Sequence, residues 1–251
     1  MKFSVLTLFP EIIDAYFAIS IVAKALSRGI LEYQAINIRD FAADRHHSCD
    51  DAPYGGGPGM LMLPEPLSRA IQSVTETSPA KDRCLVYLTP SGKPFTQEKA
   101  AEFSRKKELI LLCGRYEGID QRIIDLYVDE EVSLGDYVLS SGEVAALTVI
   151  DTVYRLVDGV ITPESLAEES FSGGLLEYPQ YTRPEIFATL EVPGVLLSGH
   201  HEYIRRWRLK KRIEKTLANR PDLIAAGLAG RFDAETVALV KEGQNERDSG
   251  N

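Results

Sequence analysis

The chain has 251 residues with a formal net charge of −9, 44% hydrophobic and 26% charged. That is enough for one large domain or two modest ones, and the composition predicts a soluble globular protein. No apolar run approaches bilayer-spanning length, Pro10 and Glu11 cut short the apolar start, and Cys49, Cys84 and Cys113 show no C-x-x-C spacing; no membrane span, signal peptide or disulfide framework is expected, and the cytoplasm is the expected location.

Residues 2–9 alternate and are rich enough in β-branched and aromatic side chains to form a strand. Pro10-Glu11 then suits a first helical turn, where proline loses no hydrogen bond and glutamate complements the dipole. The helix is predicted to run to about residue 28 and to end at Gly29, with a second strand at 31–38. A polar, glycine-rich loop (39–59) precedes an amphipathic helix at 64–78 and a buried strand at 84–88. A helix around 96–106 leads to the apolar strand Glu108–Cys113; a short helix at 119–125, a strand at 127–132 and a helix at 143–157 follow. Strands alternating with helices predict an α/β fold with a mainly parallel sheet covered on both faces.

Beyond it, residues 159–174 are polar, acidic and without period, which reads as a linker. The next region is helical and basic. Between His200 and Arg220 stand eight basic residues against Glu202 and Glu214, a surplus of six charges on an acidic chain. Such a stripe is the electrostatic footprint of a nucleic-acid partner, or else a solvated helix face. Ile204, Trp207, Ile213 and Leu217 supply that helix with one apolar face, Pro221 opens another helix and 233–240 forms a last one. The expected organisation is an α/β domain at 1–160, a flexible linker at 161–175, a helical domain at 176–243 and a disordered tail at 244–251.

Three loops draw attention because each follows a predicted strand and carries glycine. They are Leu88-Thr-Pro-Ser-Gly-Lys93, the segment after Cys113 with Gly114 and Gly118, and the segment with Gly135 and Gly142. Ligands of open α/β sheets sit outside the carboxyl ends of strands, and glycine lets backbone amides approach them closely. Neither a G-x-G-x-x-G after the first strand nor a G-x-x-x-x-G-K-[ST] occurs, so the usual dinucleotide and P-loop readings fail. In Arg45-His-His-Ser-Cys-Asp-Asp51, adjacent His46 and His47 diverge and no second ligand pair stands at a supporting spacing; polar substrate contacts by His46 and Asp50 are favoured over zinc. Glu168 and Glu169 stand in the linker beside apolar Phe171, and Arg155 ends the helix before it.

Taken together, these residues resemble the bacterial tRNA (guanine-N1)-methyltransferases of the SPOUT superfamily. The likeness lies in L-F-P-E at 8–11, R-D-F…D-R-H at 39–46, D-D-x-P-Y-G-G-G-P-G-M at 50–60, G-R-Y-E-G-I-D at 114–120, G-D-Y-V-L-S at 135–140, Y-T-R-P at 181–184, L-L-S-G at 196–199 and R-R-W-R at 205–208. It implies a deep trefoil knot around the cofactor loops, one of the rare exceptions to unknotted chains, and a homodimer packed across the knots. It implies S-adenosylmethionine as methyl donor, held by Tyr87, Leu88, Thr89 and Pro90, by Gly114, Tyr116 and Glu117, and by Leu134, Gly135, Tyr137, Leu139, Ser141 and Gly142. The implied substrate is the tRNA guanosine immediately 3′ of the anticodon, met by His46, Asp50, Gly59, Glu177, Ser198, Arg205, Arg206 and Arg208. Magnesium is also associated with the family, although the sequence offers no ligand set for a metal.

Guanine N1 carries a proton near neutral pH, so a base must remove it before the nitrogen can attack; a desolvated carboxylate can do so. Negative charge then develops toward O6, where an arginine donor stabilises it. Within the resemblance the base maps to Glu169, where the family usually has aspartate, and the arginine to Arg155. Ser141 and Ala145 replace a frequent Gly and Pro, Glu177 a frequent Asp and Gln180 a frequent His. A non-catalytic RNA-binding module, or a small-molecule methyltransferase or hydrolase on a similar sheet, would share parts of this pattern; the basic helical region disfavours the small substrate.

Overall fold

The computed structural model describes residues 1–249, with side chains through residue 245. In chain order its elements are β1 (Lys2–Thr7), α1 (Pro10–Phe17), α2 (Ser20–Ser27), β2 (Glu32–Asn37), β3 (Asp50–Asp51), β4 (Leu61–Met62), α3 (Pro64–Thr75), β5 (Arg83–Pro94), α4 (Gln97–Phe103), β6 (Glu108–Cys113), α5 (Gln121–Tyr127), β7 (Glu130–Ser133) and α6 (Gly142–Tyr154). Then come α7 (Pro163–Ala167), β8 (Ile186–Phe187), β9 (Leu190–Glu191), α8 (Gly194–Leu197), α9 (His201–Asn219), α10 (Pro221–Leu228) and α11 (Ala234–Ser249). The chain divides into two compact units, Met1–Ile161 and the part from Thr162 onward.

The first unit is built on a five-stranded parallel sheet in the order β2-β1-β6-β5-β7. Every residue of β6 is buried, as expected for a central strand covered on both faces. Its side chains alternate between two cores. Leu109, Leu111 and Cys113 pack with Phe3, Phe17, Phe103 and Val149, whereas Ile110 and Leu112 pack with Leu6, Leu67, Ile71 and Leu85. The cysteines are small buried core groups, all three free. Burial pushes the Cys84 thiol up to about 12 and the Cys113 thiol well above its ordinary value, so neither is a reactive thiolate.

The structure departs from the predicted elements in instructive places. The single helix expected up to residue 28 is two, because Ile19 is extended (φ −126°, ψ 160°) and the chain restarts at Ser20. The break lets Phe17, Val22 and Ala25 all reach the same core. β5 does not end at Leu88. Leu88 and Lys93 both pair with Val132, so the loop between them bulges out and the strand resumes on the same neighbour. A Cβ on Gly92 would lie 2.4 Å from the Val132 nitrogen, which explains the glycine there. α5 is capped by the Asp120 side chain, which accepts from Arg122 N–H at 2.9 Å, and this delays β7 to Glu130.

The second unit has its own small core of Leu175, Ile213, Leu217, Ile224, Leu239 and Val240. Of the apolar face expected on the basic helix, Ile213 and Leu217 are buried, while Ile204 and Trp207 are half-buried. The segment expected to be a featureless linker carries α7 and a 3₁₀ turn at Ser172–Gly174, and Leu175 is buried. It is held to α9 by Arg212, which donates to the Ser172 and Leu176 carbonyls at 2.6 and 3.2 Å. The tail expected to be disordered from 244 is instead helical as far as Ser249, because α11 continues past residue 240; residues 250 and 251 lie outside the described ones.

Phe17 is 1% exposed and stacks on Tyr33 with ring centroids 4.0 Å apart. Phe17→Ala is expected to lower stability by about 3–5 kcal/mol, a shift measurable by urea unfolding.

Candidate active site

Because β6, β5 and β7 are neighbours, the loops at their carboxyl ends stand side by side, and together with the start of α6 they enclose a cavity of about 230 Å³. Of the residues expected to hold the donor, Tyr87, Leu88, Thr89, Pro90, Gly114, Tyr116, Glu117, Leu134, Tyr137, Leu139, Ser141 and Gly142 line it. Gly135 does not; it shapes the loop instead, at φ +148°, exchanging hydrogen bonds of 3.2 Å with the Ser133 hydroxyl. Gly118 and Ala145, noted in the sequence but not assigned to the donor, also line it, and Arg115, Val132, Ser133, Val138 and Ser140 complete the wall without having been singled out. Arg115 and Gly118 lie inside the G-R-Y-E-G-I-D string, which was the available signal.

Glycine is required at two contacts. A Cβ on Gly142 would sit 2.7 Å from both the Cys113 Cα and the Gly114 nitrogen, so the first turn of α6 rests directly on the end of β6. The Gly142 N–H donates to the Gly114 carbonyl at 3.0 Å. On the other side, a Cβ on Gly59 would lie 2.4 Å from the Glu117 Cγ, so the glycine-rich loop closes over that side chain. Backbone bonds reinforce this closure: Glu117 N–H donates to the Met60 carbonyl and Met62 N–H to the Gly118 carbonyl, each at 3.0 Å.

Tyr87 forms the floor, 7% exposed, with its ring under Gly114. Burial raises its phenol, which keeps it neutral and available as a hydrogen-bond donor. Tyr116 takes a left-handed backbone (φ +58°), and partial burial and its hydrogen bond to Asp50 raise its phenol too. Asp50 is thereby joined to the cavity wall. His46 sits in an exposed turn in which its N–H donates to Asp44 Oδ2 at 3.0 Å. Arg155 caps the end of α6 and does not line the cavity.

The remaining predicted residues belong to the second unit. Glu169 follows α7, its carbonyl accepting from Ser172 N–H at 3.1 Å. Glu168 is engaged by the Tyr178 hydroxyl at 2.6 Å and by Arg208 at 3.2 Å, with the guanidinium stacked 4.7 Å from the Tyr178 ring centroid. Glu177 accepts from Gln180 at 2.6 Å, and Ser198 caps α8. The positive charge of α9 is largely answered from within. Arg205 pairs with Glu202 and Glu235, Lys210 with Glu242, Lys211 with Glu214 and Arg220 with Asp222. Among the described residues, exposed Arg206 has no such ion pair. Nor do the described residues hold any group of three His, Cys, Asp or Glu side chains placed to take a metal ion.

Gly142→Ala is expected to cost about 1–3 kcal/mol of stability, because backbone rather than a flexible side chain must give way. Thermal unfolding checks it.

A family model described as tRNA (Guanine-1)-methyltransferase TrmD matches residues 1–226. Curated relatives bearing the name tRNA (guanine-N(1)-)-methyltransferase include that of Treponema denticola, 63% identical over 98% of this chain and 100% of its own. That of Treponema pallidum is 58% identical over 96% of each chain, and that of Borrelia hermsii 58% over 89% of this chain and 92% of its own. Identity at this level runs through the cavity-forming unit and the helical unit alike, and the chain belongs to the tRNA (guanine-1)-methyltransferase family.

Proposed function

We propose that this protein transfers a methyl group from S-adenosylmethionine to N1 of the guanosine at tRNA position 37, immediately 3′ of the anticodon. The observation that carries the reading is the cavity where three parallel strand ends meet, lined by twelve of the thirteen residues expected to hold the donor, in a chain of this family. Its walls fit the ligand's chemistry: backbone amides and the Tyr87 phenol for polar edges, Leu88, Leu134 and Leu139 for a purine face. S-adenosylmethionine, when bound, supplies an electrophilic methyl group. The loops that hold it are proposed to be threaded as a trefoil knot, to which the close approaches at Gly92 and Gly142 are suited.

Glu169 is assigned as the base that takes the N1 proton, leaving the ring nitrogen with the electron pair that attacks. Arg155 is assigned to the charge developing on O6. Two subunits are proposed to share the site, the donor loops of one serving the tRNA held by the second unit of the other, in the cytoplasm. No helix among the described residues is long and apolar enough to cross a membrane. The described residues hold no group of three His, Cys, Asp or Glu side chains for a metal ion, and no step is assigned to magnesium, which usually binds through one or two carboxylates together with water and substrate phosphates.

The test is methyl transfer from labelled S-adenosylmethionine to unmodified tRNA. Glu169→Gln is expected to lower turnover by about 10²–10⁴-fold, the range of a lost general base, with tRNA and S-adenosylhomocysteine still bound. Unchanged turnover excludes Glu169. tRNA affinity is expected to fall with salt, and Arg206→Ala to reduce the slope by about 0.7–0.9, one phosphate contact. A slope unaltered by that change rules out Arg206 as a phosphate ligand.

A further inference from the structure

The end of β1, just before the L-F-P-E string, is absorbed by none of the roles above, yet it meets the donor cavity through a buried carboxylate. Glu143, the second residue of α6, is 0% exposed. The Thr7 hydroxyl at the end of β1, equally buried, donates to its Oε1 at 2.5 Å and itself accepts from Phe9 N–H at 2.9 Å. Its Oε2 meets Arg115 Nε at 3.1 Å, a charge contact rather than an aligned hydrogen bond. The Arg115 guanidinium lies over the Phe9 ring, 4.4 Å from its centroid.

A buried carboxylate is costly, and well-packed apolar groups often stabilise a core as well as an ion pair does. The start of a helix offsets part of that cost, since the dipole there favours negative charge. What this pair adds is geometry. It joins the end of β1, the loop after β6 and the first turn of α6, and Arg115 lies between Gly114 and Tyr116, both in the cavity wall.

We propose that Glu143 is a positioning residue for the methyl donor: through Arg115 it fixes the Gly114–Gly118 loop against α6, and so sets donor affinity without touching the transferred group. The inference rests on the reading of this cavity as the donor site.

Glu143→Gln keeps an acceptor for Thr7 and removes the charge facing Arg115, while Arg115→Gln breaks the same pair from its less buried side. Each is expected to weaken S-adenosylhomocysteine binding by calorimetry, and to raise the KM for S-adenosylmethionine, by roughly tenfold. For Glu143→Gln, which lies outside the cavity wall, the KM for tRNA and kcat at saturating donor should stay within about twofold of the parent value. The double variant is expected to be no weaker than the worse single one, since either change alone breaks the pair; independent roles would multiply. Unchanged donor affinity in both folded single variants overturns the proposal, as does a rise of both KM values in step. A wild-type protein that does not bind S-adenosylhomocysteine overturns the donor reading itself, and this inference with it.

Discussion

The seating of the first turn of α6 on the end of β6 is the constraint from which the rest of the first unit follows. Backbone touches backbone there, because at Gly142 no side chain intervenes before Cys113 and Gly114. With the helix this close, its first amides and the loops beyond β5, β6 and β7 face one small volume. The glycines thus act by subtraction, trading side-chain contact for polar main chain that a ligand can read.

The contact also dictates what lies beneath it. A helix start docked on a strand end brings Glu143 between the ends of β1 and β6, where a carboxylate must find partners or remain neutral. Thr7 and Arg115 are those partners. On the far side of the loop, Gly59 performs the reverse operation, making room for Glu117 rather than for a helix. The loop Gly114–Gly118 is therefore gripped from two directions, by an ion pair at Arg115 and by the glycine-rich segment at Glu117.

Much of this was legible in the sequence. The buried strand Glu108–Cys113 has the bounds read from its apolar run, and strand-ending glycines marked the cavity, because both signals are local. Four features were not legible, each because it depends on contacts distant in sequence. The break at Ile19 answers to a core that Phe17, Val22 and Ala25 share. The return of β5 after its bulge requires β7 as partner. The order of 168–176 comes from Arg212, some forty residues later. The ion pair of Arg115 joins it to Glu143, nearly thirty residues on. The second unit misled in the opposite sense: the helix counted as a surplus of six positive charges, with Glu202 and Glu214 already allowed for, is further laced with Glu235 and Glu242 from α11.

That lacing bears on how a polyanion would arrive. Ion pairs a few ångströms across behave as dipoles, whose field fades faster than that of isolated cations and is screened further within about 8 Å at physiological ionic strength. On a chain of net charge −9, little long-range pull is left to speed diffusional encounter. Capture then depends on partner exchange at contact, with phosphate oxygens displacing Glu202, Glu235 or Glu168 from their arginines, so discrimination falls to the rate of departure rather than of approach.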